Sequence, residues 1–227
     1  MSGWFDAYPL WLQQLLGVAV VATWLSLLAL VALGVRRRWP QQPEWSRKLV
    51  HIGGGAVIPL AWACGIERWL ALAAAAVITV LAAINHRQRL LPAIEDVGRS
   101  SYGTVAYGAS ITVLLWAFWP ERADAVCAGV LVMAVGDGLA GLVGPQLASP
   151  SWQVLGERRS LAGTGAMAFA SLTVLAVLAW ISPPASPGLA ALVAIALGAT
   201  ALEQVAVLGV DNLTVPLLVA GLWRLSC

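Results

Sequence analysis

Long apolar runs alternate with short polar segments along the whole chain. Seven runs look able to cross a bilayer as helices, because a helix rises about 1.5 Å per residue and the hydrocarbon core is roughly 30 Å thick. They cover approximately residues 10–34, 49–66, 69–85, 104–119, 125–144, 161–182 and 187–208. A shorter run, 213–225, carries Pro216 near its start, and the sequence leaves open whether it also spans. The pattern predicts an all-α, polytopic transmembrane bundle that forms one integral membrane domain over residues 1–227.

The composition also indicates a membrane protein. The chain has 227 residues, of which 60% are hydrophobic and only 11% charged, and its mean hydropathy is +0.83; soluble domains carry about 25% charged residues. The cysteines show no metal-ligand spacing, and we interpret Cys64 and Cys127 as small packing residues in apolar segments. Asp6 and no basic residue precedes the first apolar run, so we expect a retained helix and not a cleaved signal peptide.

The basic residues fall mostly on one side of the predicted bundle. If successive loops alternate across the membrane, ten of the 13 lysines and arginines lie on the same side. They are Arg36, Arg37, Arg38, Arg47, Lys48, Arg87, Arg89, Arg99, Arg158 and Arg159. By the positive-inside rule this side is cytoplasmic, which places the N-terminus outside. Tryptophans near predicted segment ends fit an interfacial belt, namely Trp4, Trp11, Trp39, Trp45, Trp116, Trp119 and Trp223.

Asp137 is the most informative residue, since it lies in the otherwise uncharged stretch from Ala125 to Gly144. A carboxylate inside a membrane costs several kcal/mol unless it is paired or binds a cation, so such a residue indicates a functional site. Gly136 and Gly138 flank it and allow another group to approach closely. A purely structural pair with an arginine is the alternative that the sequence leaves open.

The other unusual polar residues lie on the same predicted cytoplasmic side. They are Arg47, Lys48 and His51 at the second span, Arg99 and Ser100 before the fourth, Arg159 and Ser160 before the sixth, and Glu203, Asp211 and Asn212 at and after the end of the seventh. Such a one-sided distribution predicts a single site at the inner interface. The alternative without a functional site is that the basic residues anchor the spans to lipid headgroups and that the acidic residues are caps or loop residues.

The residue types together suggest phosphate chemistry. We expect Arg47, Lys48, Arg99 and Arg159 to lie just before helix N-termini, with Ser100 or Ser160 as caps, which would form convergent anion sites. Asp137, Glu203, Asp211 and Asn212 offer the oxygen ligands that Mg²⁺ prefers. His51 is a candidate base or hydrogen-bond donor to phosphate, and a carboxylate next to the metal is the alternative base; the sequence does not choose between them. This set suits phosphoryl or nucleotidyl transfer, although neither a Walker A loop nor a protein-kinase signature is present.

The order of these motifs resembles that of the phytol, farnesol and polyprenol kinases, which are integral membrane enzymes related to dolichol kinase. The resemblance covers a basic pair with His51, then Arg-x-Ser-x-Gly from Arg99, Gly-Asp at Asp137, basic-Ser-x-x-Gly from Arg159, and Glu203 followed by Asp-Asn-x-x-x-Pro. It extends from about Arg47 to Pro216. The family often has lysine at the position of Arg159 and a second acid at that of Gly141.

The resemblance implies transfer of the γ-phosphate of CTP to a membrane isoprenoid alcohol. That alcohol is most often phytol, whose phosphate leads toward tocopherol and related lipids. Asp137 would then bind the metal, and Arg159 and Ser160 the nucleotide. The expected partners are the alcohol from the bilayer, a nucleotide and membrane lipids, with no nucleic acid. The sequence does not choose between CTP, ATP and UTP, and it does not define the oligomeric state.

Two other functions remain open from the sequence. A cytidylyltransferase that makes a CDP-lipid from phosphatidate would use the same metal and CTP. A transporter would use Asp137 as its coupling acid, although transporters usually place polar groups near the midplane between repeated halves, and this chain shows no repeat.

Overall fold

The computed structural model describes residues 8–88, 102–182 and 186–227, and these residues form mostly α-helices. In chain order the helices are α1 Leu10–Arg38, α2 Pro43–Gly55, α3 Val57–Ala63, α4 Arg68–Gln88, α5 Gly103–Phe118, α6 Ala123–Leu131, α7 Gly138–Gln146, α8 Leu161–Ile181, α9 Leu189–Val205 and α10 Asp211–Leu225. A π-helical segment, Val132–Asp137, joins α6 to α7. Two short strands, β1 Ser151–Val154 and β2 Glu157–Ser160, precede α8.

The helical architecture confirms the predicted all-α membrane fold. Among the described residues, four continuous helical stretches are long and apolar enough to cross a bilayer, namely Leu10–Arg38, Arg68–Gln88, Ala123–Gln146 and Leu161–Ile181. Gly103–Phe118 and Leu189–Val205 are shorter apolar helices. The count of seven spans and the orientation of the bundle stay predictions.

The second predicted run, 49–66, is not one helix. Helix α2 begins six residues earlier, at Pro43, which occupies the first turn because its missing N–H is not needed there. The helix ends at Gly55, and α3 starts again at Val57 after Ala56. A Cβ on Gly53 would overlap the side chain of Leu28, so glycine here allows α2 to lie close against α1.

The π-helix and α6 form the centre of the bundle. Nearly every residue from Ala123 to Ala134 is buried, and α5, α8 and α10 pack around this segment. Gly136 lies directly against Met167 and Ser171 of α8, and Gly144 lies against Ser160 and Gly163. The small residues of this stretch therefore allow α8 to pack closely against it.

The segment 151–160 forms a β-hairpin that the sequence pattern did not predict. The strands are antiparallel, with Ser151 opposite Ser160 and Val154 opposite Glu157. Leu155 and Gly156 make the two-residue turn with φ values of 50° and 88°. Such turns normally carry Asn-Gly or Asp-Gly, so Leu-Gly gives little signal. The hairpin matters for the site because it places Arg159 and Ser160 beside α8.

At the end of the bundle opposite the predicted site, Asp124 is buried in a hydrogen-bonded cluster. Arg122 donates to both of its carboxylate oxygens, at 3.0 and 2.8 Å, and Trp223 Nε1 donates to Oδ2 at 2.8 Å. Trp223 is fully buried, as is Trp119, whose Nε1 donates to the carbonyl of Ile66. Both tryptophans were predicted to belong to the interfacial belt, and for these two the prediction is wrong.

We expect Asp124→Asn to destabilise the protein strongly. The change leaves Arg122 without a charged partner in a mostly buried position, and breaking such a pair costs about 3 kcal/mol or more. The thermal midpoint in detergent should fall by roughly 6–12 °C for a chain of this length. The matched control is Glu121→Gln, because Glu121 pairs with Arg68 at an exposed site at the same end; its cost should stay below about 1 kcal/mol. Equal shifts in the two variants would contradict a structural role for the Asp124 cluster.

Candidate functional site

Asp137 lies at the last position of the π-helix, where two basic side chains of α2 reach it. Lys48 Nζ donates to Asp137 Oδ2 at 2.7 Å and to the backbone carbonyl of Asp137 at 3.2 Å. His51 Nε2 lies 3.4 Å from the same Oδ2. The carboxylate keeps 17% of its surface exposed, so it is neutralised without being sealed off. Its partners are a lysine and a histidine, and not the single arginine of the structural alternative.

Lys48 reaches Asp137 across α7 because Gly141 has no side chain. A Cβ on Gly141 would overlap Lys48 Cε and would lie 2.8 Å from Nζ. The aliphatic part of Lys48 is therefore packed against a helix backbone, and the whole side chain is only 9% exposed. In the sequence, Gly141 was notable only as the position where the family often has a second acid. The structure shows that a glycine here makes room for Lys48.

His51 is held in one orientation by three groups. Its Nε2 faces two acceptors, Asp137 Oδ2 and the carbonyl oxygen of Met133, each at 3.4 Å. Its ring packs against Tyr107 of α5 with 4.8 Å between the ring centroids. Two acceptors around Nε2 favour the tautomer that carries its hydrogen there, which leaves Nδ1 as the acceptor of a neutral ring. Tyr107 was not predicted as part of the site. The one signal in the sequence is that it lies one helical turn after Gly103, the last residue of the Arg-x-Ser-x-Gly motif.

The hairpin and α9 contribute a second ion pair. Arg159 Nη1 donates to Glu203 Oε1, and Nη2 donates to the backbone carbonyl of Ala206 at 2.9 Å. Gln204 donates to the other oxygen of Glu203 at 2.6 Å. The Nε–H of Arg159 is buried and has no acceptor among the described residues, which is uncommon for a buried donor.

Asp211 begins α10 and completes a group of three carboxylates with Asp137 and Glu203. One oxygen from each lies within 4.8 Å of the other two. Asp211 accepts hydrogen bonds from the backbone and side-chain nitrogens of Asn212, at 2.9 and 3.1 Å, and forms no ion pair with the described residues. The folded chain thus brings together three acids that are separated by 66 and by eight residues in the sequence.

This group of oxygens fits a divalent metal ion. Mg²⁺ binds oxygen at about 2.0–2.1 Å, so two ligands on opposite sides of one ion lie roughly 4 Å apart. Small side-chain movements would therefore bring the three carboxylates to bonding distance. Lys48 and Arg159 supply two permanent positive charges against three negative ones. The unbalanced negative charge favours a cation at this position.

The predicted anion sites at helix N-termini are present in part. Ser160 is the N-cap of α8, and its Oγ accepts the N–H of Gly163 at 3.2 Å; this confirms the cap. Arg47 and Lys48 lie in the second turn of α2 and do not precede a helix, so that part of the prediction is wrong. Arg47 pairs with Glu44 at 2.9 Å in a half-exposed position. Arg99 and Ser100 lie outside the described residues.

All these groups line the polar end of one large cavity. Its volume is about 2190 Å³, and it is lined by Arg47, Lys48, His51, Asp137, Arg159, Ser160, Glu203, Asp211 and Asn212 at this end. The cavity continues between apolar side chains of α1, α3, α4 and α5. Drug-sized ligands occupy roughly 300–1,000 Å³, so this space is larger than one small polar ligand requires.

Fold and site together define a class: a polytopic membrane protein with an acidic, cation-lined site at one end of a cavity that turns apolar. Comparison with known proteins gives the family. The chain is 38% identical over 213 residues to a phytol kinase of Synechocystis sp., and the match covers 93% of this chain and 90% of that protein. No model of a protein family and no solved structure matches the chain. The chain belongs to the phytol kinase family, which confirms the family predicted from the ordered motifs.

Proposed function

We propose that this protein transfers the γ-phosphoryl group of CTP to the hydroxyl group of phytol, with Mg²⁺ as the cofactor. The observation that carries the proposal is the continuous cavity, in which three carboxylates and two cations lie at one end and apolar helix surfaces at the other. A triphosphate requires the first end, and a long-chain alcohol requires both. The relationship to a phytol kinase supports phytol as the acceptor.

The nucleotide phosphates lie against Lys48, Arg159 and Ser160 in this proposal. In the part of the chain that the structure describes, the buried Nε–H of Arg159 finds no acceptor, and a phosphate oxygen would satisfy it. Lys48 and Arg159 now neutralise Asp137 and Glu203, and both can turn toward phosphate oxygens when the carboxylates bind a metal. Arg47 also lines the cavity and extends the same positive surface.

The carboxylates of Asp137, Glu203 and Asp211, with the side-chain oxygen of Asn212, hold the metal. A bound Mg²⁺ ion supplies charge neutralisation to the phosphates, which is the main requirement of phosphoryl transfer. Asp137 is central to this set because Lys48 and His51 orient it and because it lies between α2 and the other two acids.

The alcohol oxygen attacks the γ-phosphorus, and the bond from that phosphorus to the β,γ-bridging oxygen breaks. The electron pair of the broken bond leaves with CDP, and the hydroxyl proton passes to His51. His51 can accept it at Nδ1 because its Nε2–H faces Asp137 and Met133. The products are phytyl phosphate and CDP. We place this chemistry at the cytoplasmic face, because the predicted topology puts ten of the 13 basic residues on that side.

The direct test uses purified protein in lipid nanodiscs with phytol, farnesol, diacylglycerol or phosphatidate, each with CTP, ATP or UTP. We expect phytyl phosphate and CDP in equal amounts, with CTP as the preferred donor. Release of pyrophosphate with phosphatidate would instead identify a cytidylyltransferase. Equal turnover of phytol and diacylglycerol would overturn the proposed selectivity for an isoprenoid alcohol.

A further inference from the structure

The apolar arm of the cavity has two facing walls. One wall consists of Val18, Val21, Ala22 and Leu25 on α1 with Ile58 and Ala61 on α3. The other consists of Leu70, Ala71, Ala74, Ala75, Ile78 and Ala82 on α4. The α4 residues recur at intervals of three, four and seven or eight positions, which places them along one face of the helix. Four of the six are alanines, so this face leaves space where larger side chains would fill it.

The two walls belong to separate parts of the bundle. Helix α1 packs on α2 and α3, whereas α4 packs on α5. Among the described elements, α1 and α4 do not form a packed pair. Because both helices are long and apolar enough to span the membrane, the space between them faces the hydrocarbon region of the bilayer.

The groove is continuous with the polar site. Tyr107 and His51 lie where the two parts of the cavity meet, and both line it. From this level the groove extends along α5 to Leu115, which is eight residues or about 12 Å further along the helix. Leu115 and Ile66, both buried, line the groove at its far end.

We infer that the hydrocarbon tail of the alcohol lies in the groove between α1 and α4, and that the alcohol enters from the bilayer through the opening between these two helices. This inference rests on the proposed function and deepens it by assigning the tail site. The tail would run from His51 and Tyr107 toward Ile66 and Leu115, with its hydroxyl group at Asp137. The alanines of α4 would then control how long a tail the enzyme accepts.

Two neighbouring alanines give a matched test. Both alanines are exposed on the same helix, but Ala74 lines the groove and Ala73 does not. In Ala74→Leu the added side chain enters the groove beyond Tyr107, and the KM for phytol should rise by roughly tenfold or more, the scale of a filled apolar pocket. The shorter farnesol should lose less and the still shorter geraniol least. Ala73→Leu should stay within about twofold of the parent protein, in line with a surface change that alters no contact of the groove.

A second measurement does not depend on turnover. A phytol analogue with a diazirine at the end of its tail should label peptides of α1 and α4, and it should do so in the inactive Asp137→Asn variant as well. Labelling of α8 or α9 instead would overturn the tail assignment and leave the kinase activity unaffected. So would a KM that is the same in Ala74→Leu as in Ala73→Leu for each of the three alcohols. Labelling of α1 and α4 without phosphorylation of any alcohol by the parent protein would overturn the proposed function and leave the groove as an alcohol-binding site.

Discussion

Replacing Asp137 with asparagine is expected to abolish phosphoryl transfer while the protein stays folded in detergent. Asparagine keeps the shape of the side chain but removes the charge that a divalent ion requires. The loss of one preorganised hydrogen-bond donor to a transition-state oxygen typically costs a factor of 10²–10³ in kcat, and removal of the central metal ligand should reach about 10³ or more. The rate of CDP release with phytol and CTP measures it.

The fold should survive this change, unlike Asp124→Asn, because Glu203 and Asp211 still balance the charges of Lys48 and Arg159, and because Lys48 keeps two acceptors. Its ammonium group already donates to the backbone carbonyl of Asp137, and the asparagine side-chain oxygen can replace Oδ2. A monodisperse elution profile and a thermal midpoint close to that of the parent protein would confirm folding. Glu121→Gln, at the opposite end of the bundle, is the control for loss of an acid as such and should remain active. Substantial residual activity in Asp137→Asn would remove Asp137 from the metal role.

Replacing Arg159 with alanine is expected to give the second large effect, a loss of roughly 10²-fold in kcat/KM for CTP. Arg159 presents its guanidinium to Glu203 and to the carbonyl of Ala206, and no described residue accepts from its buried Nε–H. In the proposed complex these donors bind phosphate oxygens, and their strength is that of charge-assisted hydrogen bonds. Steady-state kinetics with varied CTP at saturating phytol measure the effect.

Arg158 is the matched control for Arg159, because it is the preceding residue of the same strand and is exposed. Arg158 lines the same cavity, but its guanidinium donates to Ser151 Oγ and forms no ion pair with the three carboxylates. Arg158→Ala should therefore change kcat/KM for CTP only slightly. Arg159→Lys should recover part of the loss, since a lysine carries the charge without the planar set of donors. Equal losses in Arg158→Ala and Arg159→Ala would indicate a general electrostatic effect and contradict a specific phosphate contact.

The sequence predicted the helical membrane fold and most of the residues that meet at the site. Asp137 was identifiable because a carboxylate in an apolar span requires compensation. Glu203 and Asp211 followed from the side of the membrane on which they fall, and the folded chain places both near Asp137. Ser160 was identifiable as a cap from its position before an apolar run.

Features that depend on local backbone geometry could not be predicted. Hydropathy does not mark the start of α2 at Pro43, because its first two turns are polar and lie outside the apolar run. The π-helix at 132–137 has the composition of an ordinary apolar helix. Two backbone carbonyl groups of this segment nevertheless contact the site: that of Met133 faces His51 Nε2, and that of Asp137 accepts from Lys48 Nζ.

Contacts between residues that are distant in the sequence could not be predicted either. Asp124 and Trp223 are 99 residues apart, and each taken alone resembles a residue at the membrane surface. Only the packing of α10 against α6 joins them. The same limit applies to Lys48 and Gly141, since the absence of a side chain at Gly141 acquires meaning only when α2 lies against α7.

Electron paramagnetic resonance of Mn²⁺, an ion that favours the same oxygen ligands as Mg²⁺, addresses the central claim without any assumption about the acceptor. When Mn²⁺ is titrated into the purified protein with CTP, the signal of free Mn²⁺ should stay low until one ion is bound per chain. After subtraction of the Mn²⁺ that CTP binds without protein, Asp137→Asn and Glu203→Gln should each raise the Kd for Mn²⁺ at least tenfold. Unchanged Mn²⁺ binding in both variants would contradict a metal site built from these carboxylates.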